Sequence, residues 1–95
     1  IVAQKQARLN ALKTLLETAI NKRVSARIRF ETQAKNIKQA ESAADILMKS
    51  YETGSMDFKD VLDIQELQLK FEMQQTEAAE NYYLQTTIIN YLTQQ

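Results

Sequence analysis

Two aspartates three residues apart, Asp60 and Asp63, form a carboxylate pair spaced to do chemistry together. On a helix, a spacing of three puts them on neighbouring positions of one turn. Such a pair could trade protons as acid and base, or hold a hard cation through oxygen. Nothing else in the chain converges on them. His, Cys and Trp are absent, which removes imidazole acid–base chemistry, thiol nucleophiles and His or Cys metal ligands. A single glycine, Gly54, leaves no Gly-rich phosphate loop. No enzyme, cofactor or metal site is therefore expected. The plainer role for the aspartates is to complement the positive end of a helix dipole and keep that end soluble. A third role arises if the segment repeats around an axis. Each aspartate then recurs as a ring, and rings of Asp select cations and can gate a pore.

The elements that position this pair follow from composition. A chain of 95 residues with one Gly, no Pro and abundant Gln, Glu, Lys and Ala makes one domain at most and favours long helices or a coiled coil. The only place to reverse is at Gly54, which suits the left-handed C′ position that ends a helix. The spacing predicts an all-α fold, a long antiparallel two-helix coiled-coil hairpin. Its helices span 3–52 and 58–93, with a tip turn at 53–57. In the first helix, Leu9, Leu12, Leu16, Ala19, Arg23, Ala26, Phe30, Gln33, Ile37, Ala40, Ala44, Leu47 and Tyr51 alternate three and four apart. That is the 3.5-residue repeat of a left-handed coiled coil, broken only by Arg23 and Gln33. In the second helix, the seam runs Val61, Ile64, Gln68, Phe71, Gln75, Ala78, Tyr82, Gln85, Ile89, Leu92, and three glutamines make it wetter.

Apolar residues also fall outside both seams. Ile20, Ile28, Ala34, Ala43 and Met48 do so on the first helix, and Leu62, Leu69, Met73 and Tyr83 on the second. Each helix therefore presents a further sticky stripe, which a closed ring of helices requires and a lone pair does not. The first helix is also longer, so the segment up to about Thr14 should overhang with Leu9 and Leu12 uncovered. At this size burial is marginal without partners. The chain is expected to oligomerise or to belong to something larger. Asp57 is the favoured N-cap of the second helix, with its carboxylate accepting from free N–H groups and Asp60 in the first turn.

Zero net charge conceals a polarity. Residues 1–40 hold nine Lys/Arg against two Asp/Glu, and residues 41–95 hold three against ten. The acid is densest around the turn. Lys22, Arg23, Arg27 and Arg29 would be the site for nucleic acid, but a solvated helix face explains them as well, and no nucleic-acid partner is expected. Absence of cysteine excludes disulfides and is silent on compartment. No apolar run approaches the ~18 residues of a spanning helix. If the protein is exported, its signal lies outside these residues. Tyr82 belongs to the seam, whereas Tyr83 and Tyr91 belong at helix boundaries with hydroxyls reaching water. Tyr51 closes the first helix; it either packs across the hairpin end or hydrogen-bonds a neighbouring hairpin.

The pattern Ala43-Ala44, Tyr51-x-x-Gly54, Asp60-Val61-Leu62-Asp63-x-Gln65, Leu67 and Asn81-Tyr82-Tyr83-Leu84 resembles the last helical hairpin of TolC-like outer-membrane efflux proteins. Residues 1–39 match only as helix of suitable length and polarity. The resemblance implies the hairpin of the second structural repeat, part of a twelve-helix α-barrel tunnel in the periplasm built by a homotrimer beneath a membrane β-barrel. It implies passive, gated export of drugs or metals, with a periplasmic adaptor (membrane fusion) protein at the tip and an inner-membrane pump acting through it. Asp60 and Asp63 match the aspartates that ring and constrict the entrance. Tyr51 matches a tyrosine that helps hold the closed state. Gly54, with Ser55 and Met56 beside it, matches the tip turn at the adaptor contact. Met56 departs from the pattern, because TolC itself has an arginine there that joins the closing network. The alternative is a soluble coiled-coil scaffold or a periplasmic adaptor hairpin with no channel role. For the isolated chain, an antiparallel dimer forming a four-helix bundle is a further expectation.

Overall fold

The protein is described by a computed structural model over residues 2–94. Two helices account for nearly all of it: α1, Val2–Glu52, and α2, Phe58–Thr93. They pack antiparallel into a rod of 78 × 17 × 13 Å. This is the all-α hairpin the sequence predicts, with coiled-coil character along its seam. The 51 residues of α1 and the 36 of α2 correspond to about 76 Å and about 54 Å of helix. That difference makes the overhang.

The seam decides which residues are covered. All ten seam positions of α2 are buried or half-buried. On α1 the same holds from Leu16 to Leu47, except that Phe30 lies at the edge with 40% of its surface exposed. The centre of the interface is built from small residues. Ala19, Ala26, Ala40 and Ala78 are all buried, which lets the two backbones approach. Val61 is the largest fully enclosed side chain.

Polar seam positions are accommodated in two ways. The guanidinium carbon of Arg23 sits 5.8 Å from the centroid of the Tyr82 ring, where a cation is attracted to the π face. Gln85, buried, donates from its side-chain amide to the Asn81 side chain at 3.1 Å. Among the described residues, no buried side-chain nitrogen or oxygen lacks a hydrogen-bond partner. Threonines are satisfied within their own helices: Thr14, Thr76, Thr86, Thr87 and Thr93 each donate to the carbonyl four residues back.

Every described residue before Leu16 is exposed, including Leu9 and Leu12. Among the described residues, the seam pattern therefore continues past the end of α2 with nothing beside it. No described helix is long and apolar enough to cross a membrane.

Candidate functional site

The tip is built on Gly54, whose φ of +81° only glycine adopts without strain. Its N–H donates to the Tyr51 carbonyl at 2.9 Å, and the Ser55 N–H donates to the Ser50 carbonyl at 2.9 Å. These are the paired reverse bonds of a Schellman motif, with Gly54 at C′, and they satisfy carbonyls that the end of α1 would leave free. A Cβ on Gly54 would meet nothing within 4 Å. The requirement for glycine is therefore conformational and owes nothing to crowding.

Hydroxyls reinforce the turn. Thr53 Oγ1 lies 2.9 Å from the Ser50 carbonyl oxygen, Ser55 Oγ lies 3.1 Å from it, and the two hydroxyls lie 2.8 Å apart. Each hydroxyl has one proton to donate. Two of the three contacts are hydrogen bonds at any moment, and the Ser50 carbonyl is always served. Met56 is half-buried, while Gly54 and Ser55 are exposed.

Asp57 occupies the N-cap position with extended backbone angles, φ −79° and ψ 149°. The carboxylate cap expected from the sequence does not form: the Asp57 side chain makes no capping hydrogen bond. Its backbone carbonyl instead accepts from the Asp60 N–H at 3.1 Å. This tight first turn leaves the carboxylate in solvent.

Tyr51 packs on Phe58 across the turn, with ring centroids 5.7 Å apart and planes tilted by 49°. That contact is the within-hairpin role of Tyr51. Phe58 is the residue that sequence reasoning misses. The signal for it is an aromatic pair seven residues apart, straddling the only glycine. Thr53 and Ser50 are likewise legible only once the turn type is known.

Asp60 is half-buried beside Val61, and Asp63 is exposed one turn on. Seven-residue spacing carries their rows up α2 to Gln74, Glu77 and Asn81. With Arg29 and Gln33 of α1, these residues line a polar groove between the helices. The opposite face differs. There Phe30, Ala79, Tyr82 and Tyr83 line an apolar groove, flanked by Arg27 and Glu31. Tyr82 and Tyr83 meet edge to face at 5.9 Å. The rows of the aspartates thus lead into the polar groove, although they also carry Leu67, Leu84 and Tyr91, and Leu62 and Leu69 lie in the row of Tyr83.

Among the described residues, no group of three or more acidic side chains is placed to hold a metal ion. Arg27 pairs with Glu31 on its own helix at 3.2 Å. It is the only ion pair among the described residues, so the charge opposition between α1 and α2 is long-range. No protein-family model, curated protein or solved structure matches the chain.

Proposed function

We propose that this hairpin is the periplasmic tunnel and tip element of a trimeric, TolC-like outer-membrane efflux channel. In this reading it is non-catalytic. Substrate passes through the tunnel passively, a partner pump supplies the energy, and a periplasmic adaptor meets the tip. The observation that carries the reading is the tip itself. A left-handed glycine turn is followed within ten residues by two aspartates whose rows lead into the polar groove of a long rod. Repeated around a three-fold axis, Asp60 and Asp63 would form acidic rings at the entrance, attractive to cations. The additional apolar rows on both helices supply the lateral contacts that such a ring of hairpins needs. Tyr51 acts here by fixing the turn through Phe58. Met56, half-buried, carries no charge with which to join a closing network.

The test replaces both Asp60 and Asp63 by Ala in the full-length channel and records single-channel currents. Cation preference and block by divalent cations should fall. Unchanged selectivity in the double variant would sink the gating role. Adaptor docking is probed at the exposed Ser55, where a replacement gives up the hydroxyl contacts to Thr53 and Ser50 but keeps the left-handed backbone of Gly54. A bulky residue at Ser55 should reduce cross-linking to the adaptor and lower resistance to exported drugs.

A further inference from the structure

We propose that the apolar face centred on Phe30, Ala79 and Tyr83 docks a second copy of this chain, antiparallel to the first. Three observations identify the occupant. Charge comes first. Residues 2–29 and 78–94, the open end of the rod, hold seven Lys/Arg and two Asp/Glu; residues 30–77, the tip half, hold five and ten. The rod is therefore positive at one end and negative at the other, by five charges each way. An antiparallel copy sets each end against its opposite, whereas a parallel copy stacks like charge on like.

Position comes second. The apolar groove sits where the sign of the charge changes, so a two-fold axis through it aligns both halves at once. That axis lays α1 on α1 and α2 on α2, and the contacts are reciprocal. Tyr83, 70% exposed, comes over Ala79 of the second copy, a large ring onto a small residue. Ile20, 39% exposed, comes over Ala34 of the second copy, seven residues either side of Arg27. The axis passes between the two Arg27 side chains, so each must turn away from the other towards Glu31 of the second copy, and the ion pair each chain makes alone is then also made between chains.

Area comes third. The rod is 17 Å across, and both helices overlap their copies over about 37 Å, so the shared footprint is about 630 Å² per copy, with α1 extending it towards the ~800 Å² of a standard interface. This arrangement competes with the channel reading, in which hairpins stand parallel and the same apolar rows face neighbouring hairpins.

The experiment uses the unmodified chain first. Sedimentation equilibrium between micromolar and millimolar protein should show the mass rising from 11.0 kDa to twice that. Raising salt from about 0.05 to about 1 M should weaken association by about tenfold, because the aligned charges are screened. A chain that stays at monomer mass throughout overturns the proposal. Direction is read with Ile20→Cys and Ala34→Cys, which are clean because the chain has no cysteine of its own. Mixing the two single variants with a flexible bismaleimide should cross-link them about tenfold more than either alone. Equal or greater cross-linking of each variant to itself indicates a parallel pair and overturns the antiparallel arrangement. Arg27→Glu should weaken association, and Arg27→Glu with Glu31→Arg should restore it; failure of the double variant to recover removes the pairing across the axis.

Discussion

At the tip end of the rod, the seam is finished by a Schellman turn, a Tyr51–Phe58 aromatic contact and Val61, only 1% exposed. At the open end, the same three-and-four repeat of apolar residues runs on through Leu12 and Leu9, and Leu9 is 61% exposed. The residue types barely differ. What differs is whether a second helix is present at that level. Periodicity specifies which face of a helix is able to bury, and the partner alone decides whether it does.

The comparison breaks most sharply with one change made at both ends. Val61→Asp strands an unpaired carboxylate in the enclosed part of the seam. It should cost about 3 kcal/mol or more, enough to unfold a marginal hairpin outright. Leu9→Asp puts the same group on an uncovered stretch and should stay within about 0.5 kcal/mol. Urea unfolding followed by circular dichroism at micromolar protein reads both. A comparable loss from Leu9→Asp would mean that the overhang is covered in solution.

The turn offers a smaller contrast between two residues three apart. Gly54→Ala forces a side chain into the left-handed region and should cost about 1–2 kcal/mol. Because a Cβ there meets no neighbour, Gly54→Asn should cost less. Asp57→Ala, at an N-cap position where this substitution commonly costs about 1 kcal/mol, should cost about 0.5 kcal/mol or less, because its carboxylate makes no capping bond. A loss near that common value at Asp57 would show that the carboxylate caps α2 in solution.

These contrasts also mark what the sequence makes legible. The seam, the turn glycine and the uncovered leucines all follow from spacing and from the conformational freedom of one residue. They are local properties, and each residue carries its own share of the signal. The Tyr51–Phe58 contact and the Arg23–Tyr82 contact depend on how the two helices are set against each other, which no spacing within one helix fixes. Arg23 reads as a flaw in the seam because its partner lies 59 residues away in the chain. The split into a polar and an apolar face has the same origin. Arg29 of α1 joins Gln74 and Glu77 of α2 in the polar groove only once α2 folds back.

The smallest effects test whether such contacts between helices outweigh those within one. A double-mutant cycle on Arg23→Ala and Tyr82→Leu should return a coupling of about 0.5–1 kcal/mol, because the cation lies over the ring at a half-buried position. The cycle on Arg27→Ala and Glu31→Ala should return about 0.3–0.5 kcal/mol, because both side chains are mostly exposed and salt screens the pair. Only the first coupling should survive about 1 M salt largely intact. A reversed order would mean that Arg23 points to solvent and that the seam is held at that level by Ala19, Ala26 and the rim of Tyr82 alone. The expected order instead makes Arg23 a register mark, since sliding α2 by one heptad would put Gln75 or Ile89 beneath the guanidinium and lose the ring.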